Sequence, residues 1–192
     1  MRIIVGITGA TGAIYGIRIL ESLHKAQIET HLILSKWAET TIKMETDYTI
    51  PEVKGLASAV HSPYDQAASI SSGSFLTDGM VVAPCSMKTL AGIRLGLAEN
   101  LITRAADVVL KEQRKLVLLP REAPLSAIHL ENMYKLAQMG VVMLPPMPAF
   151  YNHPKTIEDI VNHTAARVLD QFGIENKLTK RWGGIKEAKQ DV

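Results

Sequence analysis

The chain has 192 residues, enough for one domain with a substantial core, and its 47% hydrophobic and 21% charged content is ordinary for a globular protein. A net charge of +2, without a basic stripe interleaved with aromatics, argues against a nucleic-acid surface, and one cysteine excludes an intrachain disulfide and any CxxC site. No apolar run reaches membrane-spanning length and the N-terminus reads as a strand rather than a signal peptide, so the expected compartment is the cytoplasm.

Arg2 to Ile7 is an almost wholly apolar run, as expected of a strand covered on both faces. It empties into Thr8-Gly9-Ala10-Thr11-Gly12, and Ile14 to Leu20 continues as an amphipathic helix. Strand, small-residue turn and helix together place backbone N–H groups at a helix N-terminus, where an anion can bind. Gly9 and Gly12 lack Cβ atoms, so positive φ and close approach of a ligand are expected at both; a tight turn with no ligand is the plain alternative. Glu29 to Ser35 reads as a second strand. Dinucleotide sites usually carry Asp or Glu at its end, whereas this chain has Ser35 followed by Lys36. The glycines at 6, 9, 12 and 16 also fail GxGxxG. NAD is disfavoured; a mononucleotide survives.

Trp37 to Met44 reads as a short helix, Glu45 to Tyr48 as a loop, and Pro51 to Ala59 as another short helix. Ser69 to Ser74 is rich in hydroxyls, and composition leaves it either a flexible loop or a ligand cradle. Gly79 to Pro84 is a buried strand ending in Cys85-Ser86-Met87-Lys88-Thr89, a second strand-to-helix junction with hydroxyls where the helix begins. Ser86 is an N-cap or a ligand contact, Cys85 a small packed residue. Two such junctions on neighbouring strands would line one crevice at the carboxyl ends of a parallel sheet.

Residues 100–111 have helical periodicity and set Arg104 and Lys111, two turns apart, along one face. Lys115 to Leu119 is a strand running into Pro120-Arg121-Glu122-Ala123-Pro124, where two prolines stiffen a loop at the same carboxyl edge. Ser126 to Met139 is a helix stopped by Gly140, Val141 to Leu144 a strand, and Pro145 to Tyr151 irregular. A last helix runs from Thr156 to about Phe172 and carries Arg167. Alternating strands and helices predict a doubly wound three-layer α/β/α sandwich with a mostly parallel, Rossmann- or flavodoxin-like sheet. The expected organisation is one domain over 1–176 and a basic tail over 177–192 that docks through Arg181-Trp182.

Taken together, Gly9-Ala10-Thr11-Gly12, Glu45-Thr46-Asp47, Ser71-Ser72-Gly73-Ser74, Pro84-Cys85-Ser86, Arg104-Ala105-Ala106-Asp107-Val108, Leu110-Lys111-Glu112, Pro120-Arg121-Glu122-Ala123-Pro124, Pro148-Ala149-Phe150-Tyr151 and Arg181-Trp182 resemble the UbiX-type flavin prenyltransferases. The group includes the small subunit associated with phenolic-acid decarboxylases. The likeness covers nearly the whole chain in order; one departure is Thr11 where the family usually has serine, which keeps the hydroxyl and adds a methyl.

The resemblance implies transfer of a dimethylallyl group from dimethylallyl monophosphate to N5 and then C6 of reduced FMN, closing a fourth ring. The prenylated FMN serves a UbiD-type decarboxylase, and the family is a homododecamer with sites at subunit junctions. Carried over by position, Gly9, Ala10, Thr11, Ser35, Ser86, Met87, Lys88, Thr89 and Arg121 would hold FMN. Lys111, Glu122, Tyr151 and Arg167, with Ser72 and Arg104 nearby, would hold the prenyl phosphate. Glu45 with Thr11 would manage the proton near N5, Glu122 would act as general acid, and Trp182 would cover the allylic fragment.

The chemistry agrees, because ionising an allylic phosphate needs a metal or Arg/Lys on the leaving group. The chain has no Asp-Asp-x-x-Asp motif and no H-x-x-x-H or H-x-H pair among its six histidines, so no metal is expected. Three alternatives remain. A flavin-dependent cysteine decarboxylase would need a histidine near the flavin, and 67–74 has none. A short-chain dehydrogenase is prompted by Tyr151-x-x-x-Lys155, but Pro154 interrupts the helical turn that would pair them. A subunit that only carries FMN would not need a second phosphate pocket.

Overall fold

A computed structural model of the chain describes residues 1–184. Six strands, β1 (Arg2–Ile7), β2 (Glu29–Leu34), β3 (Ala59–His61), β4 (Gly79–Cys85), β5 (Lys115–Pro120) and β6 (Val142–Met143), form one sheet in the order β3-β2-β1-β4-β5-β6. Every pairing is parallel, so the mostly parallel sheet expected from the sequence is wholly so. The order reverses between β1 and β4, and the loops leaving those two strands open a crevice at the sheet's carboxyl edge.

The apolar runs are explained by helices on both faces. Ile3, Val5, Ile7, Leu32, Leu34, Val81 and Ala83 face α1 (Ala13–Lys25), α2 (Lys36–Glu45), α3 (Ile50–Gly55) and α7 (Ile157–Gln171). The alternate residues Ile4, Ile33, Met80, Val82 and Cys85 face α4 (Met87–Leu95), α5 (Leu101–Lys111) and α6 (Ala127–Gln138). Burial pushes the Cys85 thiol well above its ordinary range, which leaves it a packed, unreactive group. No helix among the described residues is long and apolar enough to cross a membrane.

Two segments differ from the sequence reading. The expected helix over 51–59 is divided: a Thr49–Glu52 capping box with Pro51 in the first turn starts α3, which ends at Gly55. Reciprocal 3.1 Å bonds between the Thr30 and Ser58 backbone N–H groups and each other's hydroxyls then draw the chain alongside β2 as β3. The strand expected over 141–144 is only two residues long, because Leu144 donates the last bond to β5, at 2.8 Å to Leu118, and the prolines that follow have no N–H.

Gly16 fixes how closely α1 sits on the sheet. A Cβ there would fall 2.3 Å from the Ala83 carbonyl oxygen and 2.8 Å from Ile7 Cδ1. Gly16→Ala gains about 1 kcal/mol of helix propensity, yet it forces backbone apart at a cost of about 1–3 kcal/mol. The variant is expected to unfold at lower urea than the parent, with an unchanged dependence on denaturant.

Candidate active site

Four strands deliver the carboxyl-edge groups: Thr8 follows β1, Ser35 follows β2, Ser86 follows β4 and Arg121 follows β5. Thr8, which sequence reasoning passed over, ties two of these exits together. Its buried hydroxyl donates to the Pro84 carbonyl at 2.7 Å and accepts the Ser86 N–H at 2.8 Å. The signal available was a Thr placed at the last residue before the small-residue turn, where its neighbours are apolar. Ser35 and Ser86 are N-caps, accepting from Ala38 N–H at 3.1 Å and Thr89 N–H at 3.4 Å, and the Ser86 hydroxyl also donates to Thr89 Oγ1 at 3.1 Å. Together with Gly9 and Lys88 they border a cleft of about 490 Å³ that continues along Leu95, Leu97 and Asn100.

The polar wall of this cleft is open to a ligand. The N–H groups of Gly9, Ala10, Thr11, Met87 and Lys88 make no hydrogen bond within the described residues. Gly9 and Lys88 border the cleft itself, and free helix and turn N–H groups at one edge are the donors an anionic or carbonyl-bearing ligand requires. Arg121, anchored by its own N–H on the Cys85 carbonyl at 3.3 Å, has a buried Nε with no partner. Buried unpaired donors are costly, so this one marks a place for an acceptor.

Glu45, expected in a loop, is the last residue of α2, and its carboxylate accepts the Gly12 N–H at 2.7 Å. It therefore caps α1, whose N-cap Gly12 has no side chain to do so, and it lies beside Thr11 as the resemblance requires. Gly12 has φ +93°, the left-handed conformation expected of it. Gly9 does not. Its glycine is required instead because a Cβ would fall 2.3 Å from Trp37 Cβ.

The remaining residues lie elsewhere in the chain. Arg104 donates to the Ser71 carbonyl at 3.2 Å and pairs with Asp107 at 2.8 Å, and the Ser72 and Ser74 hydroxyls share a 2.9 Å bond. Lys111 pairs with Glu112 and holds its carboxyl below the usual carboxylate range. Arg114, just before β5, donates to the Gly73 carbonyl at 2.6 Å, so the Ser72 loop and Lys111 belong to the amino edge of the sheet. The seven residues of β4 span about 20 Å between the two edges.

A third group lies on α7 and the segment after it. Tyr151 stands edge-on between His163 and Trp182, with ring centres 5.8 and 5.7 Å away. Arg181 pairs with Asp170 at 2.7 Å, and Arg167 with the same carboxylate at 2.9 Å; Arg181 first, then Arg167, holds it low. Residues 185–192 of the expected tail lie outside the described residues. Glu122 is exposed beside Arg121, its carboxylate accepting the Ala123 N–H at 3.1 Å. The chain thus brings Thr11, Glu45, Ser35, Ser86, Thr89 and Arg121 to one edge and keeps the Ser72 loop and Lys111 at the other, while Arg104, in the first turn of α5 beside the cleft-lining Thr103, lies between them. Tyr151 and Lys155 are in no helix, which removes the dehydrogenase arrangement. No group of three or more His, Cys, Asp or Glu able to hold a metal ion occurs among the described residues.

Residues 1–169 match the family model described as Flavoprotein. The chain is 63% identical over 190 residues to a probable UbiX-like flavin prenyltransferase of Escherichia coli O157:H7, covering 98% of this chain and 96% of the relative. Among solved structures it is similar to the dodecameric FMN-dependent UbiX-like decarboxylase of Escherichia coli O157:H7, at TM-score 0.94 and 64% identity, covering 96% of this chain and all of the other. It is also similar to AnUbiX (PadA1) in complex with FMN and dimethylallyl pyrophosphate, at TM-score 0.94 and 53% identity, covering 95% of this chain and 97% of that one.

Thr8→Val keeps the shape of the side chain and deletes the bridge. The Ser86 N–H is left unpaired, at a cost of about 1–3 kcal/mol. Denaturant unfolding should show that loss, and amide exchange should quicken at Ser86 more than in the middle of β4.

Proposed function

The chain belongs to the UbiX-like flavin prenyltransferases of the Flavoprotein family, and we propose from that premise that it joins a dimethylallyl group to reduced FMN. The allylic C–O bond of dimethylallyl monophosphate breaks, phosphate leaves with the electron pair, and N5 takes the allylic carbon and releases its proton. The prenyl double bond then takes up a proton, and the cation so formed bonds to C6, which loses its own hydrogen as a proton. The product is prenylated FMN, the cofactor of a UbiD-type aromatic acid decarboxylase. The observation that carries this reading is the carboxyl-edge cleft, which Gly9 and Lys88 border with free N–H groups and which Trp37, Ala91, Leu95 and Leu97 line with apolar surface, together with the unpaired Arg121 Nε at the same edge of the sheet. A flavin has that division: an anionic phosphate and carbonyl oxygens on a flat apolar ring system.

In this reading Gly9, Ala10, Thr11, Ser35, Ser86, Met87, Lys88, Thr89 and Arg121 hold FMN. Glu45, fixed by Gly12 N–H next to Thr11, handles the proton at N5. Lys111, Tyr151, Arg167 and Glu122, with Ser72 and Arg104, hold the prenyl phosphate; Glu122 acts as general acid; Trp182 faces the allylic cation. Cationic side chains then stabilise the departing phosphate without a metal.

Because Lys111 stands at the opposite edge from the FMN cleft, it completes a site there only when another subunit brings it. The dodecameric relative supports a dodecamer here, with sites at subunit junctions. Residues 1–176 form the flavin domain, and the protein works in the cytoplasm.

Anaerobic incubation with reduced FMN and dimethylallyl monophosphate should raise the flavin mass by one dimethylallyl unit; tightly bound but unmodified FMN would instead favour a carrier. Glu45→Gln and Lys111→Ala should each abolish that gain. Dissociated, mixed and reassembled, the two inactive proteins should recover part of it, because some junctions then pair an intact Glu45 with an intact Lys111.

A further inference from the structure

Of the two tryptophans in the chain, Trp37 has no role in the site described so far, yet it stands in it. It is the second residue of α2, it borders the cleft beside Ser35, Ser86 and Thr89, and it is 70% exposed. Exposure alone says little, since Met44, Tyr64, Leu76 and Phe150 are as exposed; what sets Trp37 apart is that it lines the cleft.

Its base is held tightly while its ring is free. The Ser35 cap fixes the first turn of α2, and Trp37 Cβ occupies the space that a Cβ on Gly9 would need, 2.3 Å away. The indole makes no ring or cation contact with any described residue. The same cleft is lined by the small or apolar Ala91, Gly92, Leu95 and Leu97, with Glu99, Asn100 and Thr103 as its polar part. A clamped indole facing small aliphatic groups makes a slot for a flat aromatic ligand.

We infer that Trp37 is a positioning residue that stacks on the isoalloxazine ring of FMN bound in this cleft. The inference rests on the reading of the cleft as the FMN site. It also gives Gly9 a second purpose: the glycine lets the indole approach the loop whose N–H groups bind the same ligand. A stacked indole donates an electron to an excited oxidised flavin and quenches its emission, a signature that requires contact.

The test titrates oxidised FMN into flavin-free wild-type protein, Trp37→Phe and Trp37→Ala, recording affinity, bound-flavin emission and particle mass by light scattering. Bound emission should be strongly quenched in the wild type and rise several-fold in both variants, and Trp37→Ala should bind about tenfold more weakly. Emission decides the matter. Equal quenching in all three proteins would overturn the inference whatever the affinities, and with a smaller particle mass in the variants it would make Trp37 a subunit contact instead. A wild type that binds no FMN would overturn the functional reading itself, and this inference with it.

Discussion

Everything at the carboxyl edge depends on one hydroxyl. The sheet reverses direction of growth between β1 and β4, so the loops leaving them would diverge without a link. Thr8 supplies it by donating to the Pro84 carbonyl and accepting from the Ser86 N–H in the same buried spot. That pair of bonds sets the spacing between the N-termini of α1 and α4. With the spacing fixed, Gly9 on one side and Ser86 and Lys88 on the other border a single cleft. A hydroxyl suits the place, since its one small, uncharged oxygen both donates and accepts there.

The same edge divides its positive ends between two kinds of anion. Gly12 cannot cap α1 with a side chain, and the Glu45 carboxylate takes over from the end of α2. A helix N-terminus favours negative charge, so Glu45 is held in place by α1 while it stands beside Thr11. The α4 end is different. Ser86 caps it through Thr89 N–H and leaves Met87 and Lys88 N–H free. One helix end therefore holds a protein carboxylate and the other remains for the ligand's oxygens.

Much of this was legible in the residues. Doubly apolar runs such as 2–7 and 79–84 pointed to the parallel sheet, and Ser86 and Ser126 marked helix starts correctly, because an N-cap is a local interaction between a side chain and the next turn. Ser35 caps α2 in the same way but read as the end of a strand. What was not legible was set by distant contacts. Gly9 looked like a positive-φ glycine, while its real constraint is Trp37, 28 positions on. The bend that divides 50–61 into helix and strand comes from Thr30, and no property of the segment itself announces it. Thr8 stayed hidden for the same reason, since its partners lie 76 and 78 residues away.

The separation of the two charged groups follows from how helices connect parallel strands. A crossover helix must carry the chain back from the carboxyl edge to the amino edge, so residues at its two ends are parted by its whole length. In α5, Asn100 and Thr103 border the cleft while Lys111, two turns beyond Arg104, ends beside the Ser72 loop. No rotamer of Lys111 crosses about 20 Å of sheet to reach Arg121 on the same chain. Any site that needed both side chains would have to draw them from two copies of the chain.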